Sequence, residues 1–86
     1  MRIELYGIAR QRAGLETVEV QASDLRGALR GLAERFPALV PEVIGPNGLL
    51  TLHYLASLNG ERFIADPDTP LAADDVLLIL GAQAGG

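Results

Sequence analysis

No cysteine occurs in the chain, and its seven basic residues are all arginines, so lysine is absent as well. Without cysteine there is no disulfide framework, no cysteine-rich metal site and no thiol nucleophile. Without lysine there is no ε-amine that could attack an activated acyl group on the same chain, although the Ala, Gly, Arg and Leu bias of a GC-rich coding sequence accounts for the absence more readily. Positive charge is in short supply too. The 11 acidic residues outnumber the 7 basic ones and leave a net charge of -4, which argues against nucleic acid or an anionic membrane as the main partner. No apolar run approaches the roughly 20 residues of a membrane span, and Met1-Arg2-Ile3-Glu4 does not open a signal peptide. The expected location is the cytoplasm.

A chain of 86 residues makes one domain, which buries about 60–65% of its unfolded surface and has room for one core and one main helix. Arg2 to Ile8 alternates, with Ile3 and Leu5 on one face and Arg2, Glu4 and Tyr6 on the other. Leu15 to Gln21 alternates again around Val18 and Val20, so the two runs read as an antiparallel hairpin joined by the polar stretch Ala9 to Gly14. Ser23 is the expected N-cap of a helix with Asp24 in its first turn. Its apolar stripe is Leu25, Ala28, Leu29, Leu32, Ala33 and Phe36, and Pro37 ends it. Gly27 and Gly31 lie off the stripe, at a cost of ~1 kcal/mol each relative to alanine.

Residues 37–48 read as a long connection with a short helical turn at Pro41 to Ile44, and they lack the Lys and Ser or Thr of a phosphate loop. Leu50 to Leu58 is a strand with Tyr54, Ala56 and Leu58 on one face. Asn59-Gly60 is a hairpin signal, and Arg62-Phe63-Ile64 is the return. Leu71 reads as a core plug. The aspartates at 66, 68, 74 and 75 are solvated turn residues, because no glycine and glutamate stand at calcium-loop spacing. His53, the only histidine, lies in a strand pattern without a cysteine partner and reads as a surface residue.

Val76 to Leu80 is an unbroken apolar run that suits a strand buried on both faces. Gly81 is expected to break it and to begin a flexible tail, 81–86, ending in Gly85-Gly86. Glycine lets an extended backbone thread a narrow channel, and a terminal carboxylate, with an ordinary pKa of roughly 3.5, is ionised at neutral pH. One helix covers only one face of a mixed sheet of four or five strands. On the other face Tyr6, Leu55, Leu77 and Ile79 are expected to stand exposed and to mark a partner site; a register shifted by one residue would put Leu78 and Leu80 there in place of Leu77 and Ile79.

Taken in order, Leu5-Tyr6-Gly7-Ile8-Ala9-Arg10 with Ala13-Gly14, Leu58-Asn59-Gly60-Glu61, Pro70 to Val76 and Gly85-Gly86 resemble the ubiquitin-like β-grasp sulfur carriers. That family includes the small subunit of molybdopterin synthase and the thiamine-biosynthesis sulfur carrier. The resemblance implies an α+β β-grasp fold over residues 1–86, one main helix packed on a mixed sheet of four to five strands. It implies a carrier rather than an enzyme, with no metal and no cofactor of its own. Gly86 would be adenylylated by an ubiquitin-activating-type partner that uses ATP, with Gly85 as the slim approach, and then converted to a thiocarboxylate. The sulfur would pass to an acceptor enzyme such as a molybdopterin synthase large subunit. Gly81-Ala82 stands where molybdopterin-synthase subunits commonly carry Pro-Pro, so molybdopterin, thiamine and cysteine pathways stay open. So do two other readings, a protein modifier joined through Gly86 to lysines and a plain interaction module.

Overall fold

Alternating apolar residues make strands only where a neighbour completes their hydrogen bonds, and the computed structural model, which describes residues 1–82, supplies those neighbours in one sheet. Strands β1 (Arg2–Leu5) and β2 (Thr17–Glu19) pair antiparallel, with Ile3 opposite Val18. The last strand, β5 (Val76–Gly81), runs parallel to β1, with Ile3 opposite Leu77 and Leu5 opposite Ile79. Strand β3 (Tyr54–Leu58) pairs antiparallel with the other side of β5, and β4 (Arg62–Ile64) closes the edge, giving the order β2-β1-β5-β3-β4. This is the expected α+β β-grasp arrangement.

Helix α2 (Leu25–Arg35) covers one face of the sheet and buries Leu25, Ala28, Leu29 and Leu32. Its N-cap is Asp24 and not Ser23: the Asp24 carboxylate accepts the Gly27 N–H at 2.8 Å. The reason is tertiary. The Ser23 carbonyl accepts the Leu71 N–H at 2.9 Å, and Asp24 bridges Pro70, which keeps the chain extended for one residue more. Gly31 is a contact position and not merely a weak helix residue, since a Cβ there would stand 2.4 Å from Val20 Cγ1.

Two further features depart from the sequence reading. The stretch after β1 is a short helix, α1 (Gly7–Ala13), so the hairpin is closed by a helix and not by a plain polar connection. Gly7 enters it at φ 57°, a backbone state that side chains resist. Gly14 closes it in the left-handed conformation with its N–H on the Arg10 carbonyl, and Arg10 and Arg12 complement the dipole in the last turn. The connection after α2 contributes to the core. A 3-10 turn (Pro37–Leu39) and the residues behind it sink Leu39, Val43 and Ile44 against the sheet, and Arg12 of α1 pairs with Glu42 there.

The start of β5 is clasped by the β3–β4 turn. Asn59 and Gly60 both have positive φ, 57° and 70°. The Asn59 N–H donates to the Val76 carbonyl at 2.7 Å, and the Asn59 Oδ1 accepts the Val76 N–H at 2.8 Å. The Asn59 amide also donates to Asp75 Oδ1 at 3.0 Å, while Asp75 Oδ2 accepts the Ala72 N–H at 2.7 Å. These bonds hold the Asp75 carboxyl below its usual range, the Asn59 amide first and the Ala72 N–H second. A depressed carboxyl pKa stabilises the fold above the ordinary aspartate pKa, and that contribution is lost as pH falls through the lowered value.

Leu29→Ala should cost about 2–4 kcal/mol in urea unfolding, against less than about 0.5 kcal/mol for the exposed Arg30→Ala. Asn59→Gly keeps the backbone freedom of the turn and removes the side-chain half of the clasp. It should lower unfolding stability by about 1–2 kcal/mol, and an unchanged urea midpoint would show that the clasp does not hold β5.

Candidate functional site

β5 is the central strand, and its alternation sorts its residues into two sets. Leu77 and Ile79 are 0% exposed and face α2, lying opposite Ile3 and Leu5 on one side and Leu58 and Ala56 on the other. Val76, Leu78 and Leu80 point the other way and are half-buried. This corrects two expectations. Leu77 and Ile79 are core residues and cannot belong to an exposed partner face; Leu78 and Leu80 take that position. β5 is also not buried on both faces, since among the described residues no second layer covers the outer side. The physical cause is register, because a shift of one residue exchanges the two faces of a strand and an all-apolar run carries no polar residue to mark which face is outward.

Tyr6 and Leu55 do lie on the open face. Leu55 is opposite Leu80, and Ser57 lies between Leu78 and Phe63 as their cross-strand partner. Phe63 is 64% exposed and Leu55 36%. The result is an apolar patch of Leu55, Phe63, Leu78 and Leu80 around the buried Ser57. Phe63 escaped the sequence reading, and Leu78 and Leu80 are the pair that a register shifted by one residue puts on this face. Counting outward from the Asn59-Gly60 turn would have found Phe63, while nothing local chose between the two registers of the last strand.

Tyr6 borders the patch and is held by polar contacts. Its hydroxyl donates to Glu4 Oε1 at 2.8 Å, which places it on the same face as Glu4, two residues back. The Arg10 guanidinium stands 5.2 Å from the Tyr6 ring centre, while Arg10 Nε donates to the Leu5 carbonyl at 2.9 Å and Nη1 pairs with Glu16 at 3.3 Å. The hydrogen bond to Glu4, followed by partial burial and the Glu4 charge, raises the phenol pKa, and Arg10 opposes the shift. Tyr6 is therefore a neutral donor at physiological pH.

The far end of β5 departs from expectation as well. Gly81 does not break the strand; it is the last residue of β5, opposite Tyr54, and the Ala82 N–H bonds the His53 carbonyl at 2.7 Å. The expected flexible arm from 81 is thus paired at its first two residues. Gly85 and Gly86, with the rest of 83–86, lie outside the described residues. His53 itself is exposed and contributes its carbonyl. Among the described residues no group of three or more His, Cys, Asp or Glu could hold a metal ion, and no helix is long and apolar enough to cross a membrane. The chemistry this surface offers is apolar recognition beside a strand that leads straight to the C-terminal residues.

No protein-family model and no curated protein matches the chain. Solved structures do. SAMP1 from Haloferax volcanii is 31% identical over 99% of this chain and 97% of its own, with a TM-score of 0.83. The small archaeal modifier protein 1 of Methanosarcina acetivorans is 20% identical over 99% of this chain and 94% of its own, with a TM-score of 0.84. A chain of the Amycolatopsis orientalis BexX/CysO complex is 18% identical over 99% of this chain and 98% of its own, with a TM-score of 0.81. The last two establish likeness of fold.

The two faces of β5 predict different responses to truncation. Leu77→Ala should cost about 2–5 kcal/mol, the range for a fully buried leucine, and Leu80→Ala less than half of that, as read from urea midpoints. Equal losses would mean that the outer face of β5 is packed as tightly as the inner one.

Proposed function

The chain belongs to the ubiquitin-like sulfur-carrier family, and we propose that within it Gly86 is the working group: a carboxylate activated by a partner and then loaded with sulfur for cofactor biosynthesis. In the first step a Gly86 carboxylate oxygen attacks the α-phosphate of ATP held by an ubiquitin-activating-type enzyme. The acyl-adenylate forms and pyrophosphate leaves. In the second step a hydrosulfide-equivalent donor attacks the acyl carbon and AMP leaves, so that a C–O bond is exchanged for a C–S bond and the thiocarboxylate results. The chain is the substrate in both steps, and its partners supply ATP, sulfur and catalysis.

The observation that carries this reading is the path of β5. The strand stays paired through Gly81 and Ala82, which anchors Gly85-Gly86 to the most central element of the fold while leaving glycines, slim enough for a narrow channel, at the end. The open face of Tyr6, Leu55, Leu78 and Leu80 serves as the docking surface for the adenylylating enzyme and for a sulfur-acceptor enzyme such as a molybdopterin synthase large subunit. The Amycolatopsis structure is a complex of BexX and CysO, which supports a protein-docking role for this fold.

A second reading rests on a different observation. The 31% identical relative is a small archaeal modifier protein, a name that favours conjugation. In that case a lysine amine attacks the acyl-adenylate and displaces AMP. The chain has no lysine of its own, so the acceptor is another protein.

Intact-protein mass spectrometry with ATP, the adenylylating enzyme and a sulfur donor separates these readings. The intact chain should gain the mass difference between sulfur and oxygen, and a chain lacking Gly86 should not. The shortened chain still ends in a carboxylate, but one residue, about 3.3–3.6 Å, short of the phosphate, and ångström-scale misplacement defeats reaction geometry. Linkage of Gly86 to lysines of other proteins, without sulfur loading, would favour the modifier. An intact chain whose terminus is never activated overturns both.

A further inference from the structure

Leu52 is 94% exposed, the highest value for any large apolar side chain among the described residues. Its segment is nonetheless held in place. The Thr51 N–H donates to the Val43 carbonyl at 3.0 Å, the Thr51 hydroxyl donates to the Glu42 carbonyl at 2.7 Å, and the Tyr54 N–H donates to the Thr51 carbonyl at 3.2 Å. Beside it opens an apolar cleft of about 280 Å³ between α2 and the start of β3, walled by Leu25, Leu29, Leu50, Leu52, Tyr54 and Leu55. A dry cavity of about 150 Å³ accepts a benzene-sized guest, so this cleft has room for a leucine or phenylalanine side chain.

The position of the C-terminal residues decides what fills it. Ala82 is bonded to the His53 carbonyl, and Gly86 is four residues beyond it. At about 3.3–3.6 Å per residue, the Gly86 carboxylate stays within roughly 14 Å of Ala82 even when fully extended. A partner that takes Gly86 into its active site must therefore bring the mouth of that site against the end of β5. Leu52 is adjacent to His53 at that end. Leu55, opposite Leu80, joins the cleft to the open sheet face, so a single apolar surface wraps around β3 from the outer face to α2.

We propose that this cleft receives an apolar side chain from the lip of the adenylylating partner's channel, with Leu52 packing on the same lip. The proposal rests on the reading of Gly86 given above and extends the docking surface beyond the sheet face. The lip contact is made equally in the ground and transition states, so its loss raises KM and spares kcat.

The test is ATP–pyrophosphate exchange by the adenylylating enzyme of the source organism, with the concentration of the full chain varied. Leu52→Asp should raise KM at least about tenfold with kcat within about twofold, while Leu52→Met should behave as the unaltered chain. Circular dichroism and the urea midpoint check the fold; if Leu52→Asp disturbs either, Leu52→Ser carries the same expectation. Exchange with an unchanged KM for the Leu52 variant overturns the cleft and leaves the Gly86 reading standing, as does a fall in kcat alone. Absence of exchange with the unaltered chain, at any concentration, overturns the Gly86 reading and this proposal with it.

Discussion

Asn59 grips Val76 by both of its backbone groups and holds Asp75 with its amide, and the orientation of the last strand follows from that grip. With Val76 pinned, alternation sends Leu77 and Ile79 into the core and Leu78 and Leu80 outward. Asn59 reaches this position because it and Gly60 adopt positive φ, a state that asparagine and glycine tolerate and branched residues resist. One turn thus closes the β3–β4 hairpin and grips the first residue of a strand seventeen residues further along.

Around that strand the domain is built from a single covered face. Helix α2 and the segment carrying Leu39, Val43 and Ile44 supply the apolar layer on one side. The approach leaves no room for a side chain where Gly31 meets Val20. On the other side Leu55, Phe63, Leu78 and Leu80 remain in contact with water to differing degrees. A central strand is firmly held, because its hydrogen bonds open only when much of the sheet opens. The same strand borders the uncovered face and leads into the C-terminal residues.

The pairing of Gly81 and Ala82 carries the order of the sheet two residues past Leu80. Leu52 and the cleft beside α2 lie at this same end of β5.

Much of this was legible in the sequence. The alternation of Ile3 and Leu5, the helical stripe from Leu25 to Leu32, the Asn59-Gly60 turn and the apolar run at Val76 are local patterns, and local patterns declare element type without reference to the rest of the chain. The order of those elements, with the terminal glycines, carried the family. Tertiary structure alone decided the rest. The short helix α1 has too few turns to show a stripe, Ser23 lost the cap because Leu71 draws it into an extended bridge, and the prolines around 37–48 masked a segment whose Leu39, Val43 and Ile44 are buried. Above all, five consecutive apolar residues in β5 are equivalent by composition, and only its pairing with β1 and β3 and the hydrogen bonds made by Asn59, all distant in sequence, broke that equivalence and decided which leucines face the core and which face outward.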